Sequence, residues 1–469
     1  MVTAMCASYQ EDAILPLVRN VISIRYDDLP AEAIGAAKKC IIDTLGVTMA
    51  GSTAQGCDTI ASMVKEWGGR QESTILAYGE QVPSPNAAWV NATMARARDL
   101  DDYDSVTAEH PSVSTVTTAL AVSELVGGVT GKEAITAIIL GDDLSIRIRS
   151  AFKVKAGMSP WVSSSFSVFP SAAVAGKLLG LDEDQMINAM GLAFCQVSNT
   201  LQGHQEGALA VRVHHGIGVR AGLLSALMAR RGITGPHHVL EGRFGLYPIY
   251  GQNEYDRSLA LAELGRRFLN TRMSTKPWPC CGATYGVVEG ALQLVQEYDI
   301  HPEDVEEITV YIDQTAYAYT FEPEQEKKRP RTVPAAQFSI PYALGAAVVY
   351  RDVTLDNFTD ESIKDERVLK IARKVNAVIK PELTATPSAQ APSLVEIRTK
   401  RGKVGPRRID YVRGSPQNPM TLEECIEKFR KCLNFSVKPL PKENTEEVIN
   451  MVKGLEDVSN IARIACLLA

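Results

Sequence analysis

No stretch of this chain holds the ~18 consecutive apolar residues that a membrane-spanning helix needs, so a membrane is not expected among its partners. Its nine cysteines, Cys6, Cys40, Cys57, Cys195, Cys280, Cys281, Cys425, Cys432 and Cys466, are odd in number and lack C-x-x-C spacing. That pattern suits reduced thiols rather than a disulfide frame. The seven histidines include two adjacent pairs but no H-E-x-x-H, so no metal site is expected. Neither G-x-x-x-x-G-K-[ST] nor a G-x-G-x-x-G following a strand occurs, and no cofactor is expected. Positive charge is also short. With 49 basic residues against 55 acidic ones the net charge is −6, which argues against nucleic acid as a partner. The opening MVTAMCASYQEDAILP has no basic region ahead of an apolar stretch, so the expectation is a cytoplasmic protein without a secretory leader.

What is present is ordinary globular material, 45% hydrophobic and 22% charged, long enough at 469 residues for two domains. AEAIGAAKKCIIDTLGVTMAGS, after Pro30, carries an apolar helical face that stops at Gly51. Asn86 to Ala97 reads as another helix. Thr130/Glu133 and Asp182/Gln185 are capping boxes opening further helices, and VRVHHGIGVRAGLLSALMARRG continues the pattern. From Val305 the period changes to two. VEEITVYI, SLVEIRTKRGK and RRIDYVRG alternate as half-buried strands do, with helical GVVEGALQLVQEY and FSIPYALGAAVVYR among them. Thr421/Glu424 then opens a helical tail resembling the first part. The fold class expected is therefore mainly α. An all-α body over residues 1–268, completed by helices in 415–469, would carry an inserted α+β unit over 269–414.

The residues richest in chemistry lie in RARDLDDYDSVTAEHPS, Arg96 to Ser112. Asp99, Asp101, Asp102 and Asp104 surround Tyr103, and His110 follows. A solvated turn would explain four crowded carboxylates. Set between two Ala-rich helices, they would also push their pKa values apart, as a proton-moving site requires. On this reading nearby carboxylates raise the pKa of His110, and Asp104 is solvated. Lys276, in STKPWPCCGATYG, lies where the body would meet the inserted unit, and partial burial there would lower its pKa. Arg212 and His214, with His215, open a helix whose N-terminus could receive a carboxylate. His204 could reach the same cleft. The set joins acid–base groups to cations, which suits proton abstraction beside a carboxylate.

These segments together resemble the MmgE/PrpD family. The resemblance runs nearly end to end through LPAEAIGAAKKCIIDTLGVTMAGS, DLDDYDSVTAEHPS, AAVAGKLLGL, VRVHHGIGVRAGLLSALMARRGITGPHHVLEG, KPWPCCGATYG, AAQFSIPYALGAAV and RGSPQNPMTLEECIEKF. It implies a helical body with an α+β lid, a homodimer, and chemistry without a metal. Asp99, Tyr103, His110 and Lys276 match family positions expected to be catalytic. Three positions depart: Trp161 stands where the family has a His, Val211 where it has a Lys, and Cys281 where the decarboxylases can place a His. Tyr285 replaces a further His of related sequences. Each lost charge-assisted hydrogen bond is worth about 1.5–3 kcal/mol, so a tricarboxylate such as cis-aconitate fits less well than a smaller or more apolar acid. The substrate-binding set expected is Arg212, His214, Trp161, Cys281, Tyr285 and His204.

The leading reading is a cofactor-independent lyase of dehydratase type on a small carboxylic acid. Lys276 or His110 would take the α-proton, Tyr103 or His110 would protonate the leaving hydroxyl, Arg212 would hold a carboxylate, and Asp99 would orient His110. An imino- or amino-dicarboxylate epimerase, a decarboxylase and a non-catalytic homologue are the alternatives.

Overall fold

The computed structural model describes residues 11–153, 160–383 and 390–469. Residues 1–10, on which the reading of the leader partly rests, lie outside them. Helices dominate, with one small sheet and two two-residue ladders. The helices that frame the site are α1 (Ala31–Gly51), α2 (Ser84–Ala97), α3 (Pro111–Val126), α4 (Gly131–Ser150), α5 (Val168–Leu178), the short α6 (Gln202–Glu206) and α7 (Ala210–Arg230). All three sequence-read capping boxes form. Thr130, Asp182 and Thr421 each accept from the backbone N–H three residues on, and each donates its own N–H to the side chain of that residue.

Two of these helices, α2 and α3, are buried almost all round, so their sequences carry no amphipathic stripe. They hold the centre of the body, and the Arg96–Ser112 stretch runs between them. α7 crosses α2 and α5 closely, and its glycines permit this. A Cβ on Gly222 would lie 2.3 Å from the Val168 carbonyl oxygen, and one on Gly216 2.5 Å from that of Trp89.

The second region is built on a four-stranded sheet. Its strands are β3 (Val305–Ile312), β4 (Val375–Ile379), β5 (Ser393–Thr399) and β6 (Gly402–Ile409), in the order β4-β3-β5-β6. β3 runs parallel to β4 and antiparallel to β5. β4, mostly exposed, was not apparent in the sequence because its only fully buried residue is Val375. Helices α8 (Tyr285–Glu297), α9 (Glu324–Lys328), α10 (Val333–Gln337) and α11 (Ile340–Tyr350) belong to this region, and α8 covers β5 and β6. The final helices return to the body. α12 (Leu422–Leu433) packs on α1, placing Lys428 Nζ 2.6 Å from Asp43 and 2.7 Å from the Leu100 carbonyl.

The passages into and out of the sheet region are tied together. Thr275 N–H donates to the Gly414 carbonyl at 2.9 Å. Gly414 has φ +88°, and a Cβ there would meet the Thr275 oxygen at 1.9 Å, so only glycine fits. Among the described residues, no helix is long and apolar enough to cross a membrane.

Candidate active site

A two-residue ladder assembles the site. β1 (Tyr103–Asp104) pairs antiparallel with β2 (Met273–Ser274), Tyr103 opposite Ser274. Extending that register brings Asp101 opposite Lys276. The turn before β1 is tight: Asp99 sits at φ +50°, a conformation that costs a non-glycine residue of order 1 kcal/mol or more. It is held there by its side chain, which accepts from Arg96 and, at 3.0 Å, from Lys276. Lys276 also donates to the Asp99 carbonyl at 3.2 Å and lies 4.0 Å from Asp101. Arg96 reaches Asp101 at 3.2 Å. Two cations and two carboxylates thus form one buried, charge-balanced cluster.

His110 caps this cluster. Its Nδ1 lies 2.6 Å from Asp101 Oδ2. Burial by itself would raise the pKa of Asp101, but Arg96, His110 and Lys276 outweigh it and hold the carboxyl far below its usual range. An ionised carboxylate only accepts, so Nδ1 carries the hydrogen and Nε2 keeps its lone pair. Burial and the Arg96 charge lower the pKa of His110, with Asp101 offsetting only part of this. The sequence expectation was the reverse, because it counted carboxylates and omitted desolvation and Arg96. A second expectation also changes: the residue that orients His110 is Asp101, whereas Asp99 holds Lys276 and Arg96.

The other carboxylates do different work. Asp102 accepts from Ser112 at 2.7 Å and is raised to about 8 by burial and Asp43, so it is protonated at neutral pH. Asp104, expected in solvent, is fully buried. It accepts from Thr107 and from Arg272 Nη2 at 2.8 Å, fastening the loop to the β2 segment. The stretch is therefore no solvated turn; each of its carboxylates has a partner in the body.

Tyr103 stacks beside His110, ring centroids 6.0 Å apart, with Lys276 Nζ 5.5 Å from its own centroid. Its hydroxyl donates to Gln390 at 2.9 Å, and burial raises its pKa, so it is a neutral donor. Cys281 lies near Asp99 and Lys276; burial and Asp99 push its thiol up to about 11, away from thiolate chemistry. His204 sits edge-on to Phe338 at 5.1 Å, within the field of Arg96, Asp99 and His110. Burial lowers it to about 3, and its Nδ1 has no partner among the described residues.

Four expected substrate-binding residues stand further back. Tyr285 turns its hydroxyl to the carbonyls of Trp278 and Cys280, at 2.9 and 3.0 Å, and so braces the Lys276 turn. Trp161 packs on Tyr250 with ring centroids 4.3 Å apart. Arg212 is buried with Nη1 on the Gln55 carbonyl at 3.1 Å, and Arg96 acts on its charge. His214 is half-buried, whereas its neighbour His215 faces the site. His215 Nε2 is 2.9 Å from Ser114 Oγ, its Nδ1 is unpartnered, and burial and His110 lower its pKa to about 3.

Sequence reasoning assigned Arg96 no role, and named Asp101 and His215 only as members of the acidic run and of the α7 start. Spacing held a signal for Arg96 and His215. Arg96 lies one turn before Asp99, and His215 shares a face of α7 with Val211, Gly218 and Gly222. Among the described residues, no three His, Cys, Asp or Glu side chains converge as metal ligands would.

Comparison with known proteins gives a consistent family. The MmgE/PrpD N-terminal domain matches residues 16–258 and the MmgE/PrpD C-terminal domain matches residues 278–454. The cis-aconitate decarboxylase-like protein oryM of Aspergillus oryzae is 25% identical, covering 96% of this chain and 95% of its own length. The cis-aconitate decarboxylase of Aspergillus terreus is 25% identical (94% and 93%), and that of Homo sapiens 24% (95% and 92%). With both domains matched in order around a buried Asp–His–Lys cluster, the chain belongs to the MmgE/PrpD family.

Proposed function

We propose that this chain is a lyase acting on a small carboxylic acid, with His110 as the group that moves the proton beside the carboxylate. The observation that carries the reading is the 2.6 Å bond from His110 Nδ1 to the ionised Asp101, which leaves Nε2 as a base in a buried site. A lowered histidine pKa favours the same role, since the imidazole is neutral at neutral pH. Lys276, an ammonium beside Asp99, and the neutral Tyr103 hydroxyl are the two acids within the same cluster.

In the dehydratase form, His110 Nε2 takes the α-proton and the electron pair of that C–H bond forms the new double bond. The hydroxyl on the next carbon leaves with a proton from Lys276 or Tyr103, as water. His204, whose Nδ1 has no partner among the described residues, is the residue on the body side suited to holding the substrate, whereas Arg212 is engaged with the Gln55 carbonyl.

Decarboxylation is the second reading, favoured by the relatives named above, which are cis-aconitate decarboxylases. There the electron pair of the broken C–C bond returns to carbon and a proton from the same cluster completes it. One screen separates the two. Hydroxy-acids and unsaturated acids are offered in turn, and ultraviolet absorbance of new double bonds is read beside released carbon dioxide. Turnover that falls at least a hundredfold in His110→Gln supports the reading; undiminished turnover in that variant removes it.

A further inference from the structure

The cluster around His110 balances its own charge: Arg96 and Lys276 face Asp99 and Asp101, and the histidines nearby are neutral. A substrate anion therefore needs a cation from elsewhere. Lys327 is a buried cation outside the cluster. It lies on α9, is 6% exposed, and its ammonium makes no hydrogen bond or ion pair with any described residue. The adjacent Lys328 shows the contrast, since it is bound to Glu324 at 2.7 Å. Glu326, the other neighbour, is exposed; its charge favours the ammonium but it forms no ion pair with Lys327.

An uncompensated buried ammonium costs several kcal/mol, so its retention calls for a partner that arrives later. The surroundings say where that partner would sit. Ser339 Oγ donates to the Lys327 carbonyl at 2.6 Å, next to Phe338, whose ring meets His204. Thr332 donates to the Gly207 carbonyl at 3.0 Å and so joins α10 to the turn after α6. Cys281 N–H donates to the Gln337 carbonyl at 2.9 Å. Lys327 thus stands at the seam between body and sheet region, and its charge acts on both His204 and Cys281. Burial lowers it to about 8, leaving it mostly protonated at neutral pH and ready to be raised again by a bound anion.

We infer that Lys327 receives a carboxylate of the substrate remote from the reacting carbon, which makes the substrate class a dicarboxylic acid. This rests on the reading of the site as one for a carboxylic acid. It adds a cation from the sheet region to a cluster whose own charges cancel. His204, on which the Lys327 charge acts and whose Nδ1 has no partner among the described residues, is a group suited to share that carboxylate.

The test is binding, so it does not depend on knowing the reaction. Succinate, glutarate and adipate are titrated calorimetrically against the whole chain, beside their monomethyl esters, with Lys327→Met, Lys327→Arg and His110→Gln for comparison. The expected result is that wild type and His110→Gln prefer a diacid to its half-ester. Lys327→Met should bind that diacid about tenfold to a hundredfold more weakly, the loss of one charge-assisted bond, and bind the half-ester as before. Lys327→Arg should recover part of the loss. Unliganded Lys327→Met should melt no lower than wild type, because a buried unpaired charge has gone; a lower melting temperature would mark a structural lysine and overturn the inference. It is also overturned if Lys327→Met binds the diacid within threefold of wild type, or if wild type shows no preference for diacids. Full turnover in His110→Gln with diacid binding still dependent on Lys327 would remove the lyase reading and keep the carboxylate site.

Discussion

Replacing Asp101 by Asn keeps its shape and removes its charge. The aspartate accepts from His110 at 2.6 Å and from Arg96 at 3.2 Å and lies 4.0 Å from Lys276, all in a buried cluster. Without it, Arg96 and Lys276 face Asp99 alone, leaving one uncompensated positive charge. Breaking a buried pair from one side costs about 3–5 kcal/mol. At roughly 2 cal/mol/K per residue of unfolding entropy over 469 residues, each kcal/mol is worth about 1 °C, so the melting temperature should fall by about 3–5 °C. The kinetic effect should be larger. An amide no longer compels the tautomer with a free Nε2, and general-base catalysis of ~10²–10⁴-fold depends on it. The pH profile of kcat/KM gives the sharper assay. A base works above its pKa, and that of His110 lies below its ordinary value, so the wild-type acid limb should fall below pH 6.5. Asp101 is the group that raises His110, so in the variant the limb should move lower still while the plateau drops. Asp104→Asn is the control: it breaks the buried pair with Arg272, away from His110, and should lower stability without moving the limb. A plateau within threefold of wild type, or a limb moved upward, would refute the dyad.

Two further outcomes concern stability. Gly222→Ala would drive a Cβ to 2.3 Å from the Val168 carbonyl and cost about 1–3 kcal/mol, whereas Gly35→Ala, in the exposed part of α1 with nothing within 4 Å, should gain about 0.5–1 kcal/mol; thermal melts that rank them the other way would contradict the packing described. Asp102 has a folded pKa raised to about 8, so the stability it contributes is full below about pH 4 and is lost as pH rises towards 8. Asp102→Asn should flatten that slope by on the order of a few kcal/mol, read from denaturant midpoints at pH 5 and pH 8; an unchanged slope would mean that Asp102 is ionised throughout.

Local sequence alone determined a good deal. Capping boxes at Thr130, Asp182 and Thr421 marked helix starts because their hydrogen bonds close within three residues. The two-residue period of VEEITVYI marked β3, since one face of that strand is buried. The order of seven segments identified the family before any distance was known. β4 escaped because an exposed strand carries no such period. Sequence named His110, Asp99, Tyr103 and Lys276, which the fold brings together, but misassigned their partners. Which aspartate holds His110 depends on the register of β1 on β2, a pairing between residues some 170 positions apart. The pKa of His110 took the opposite direction for a related reason, because desolvation and the Arg96 charge act through space and neither can be counted along the chain. Lys327 is the clearest case. In sequence it is one of a pair of lysines between Glu326 and Arg329, with no periodicity or motif to set it apart. Only the packing of α9 under the seam removes its water and leaves its charge without a partner.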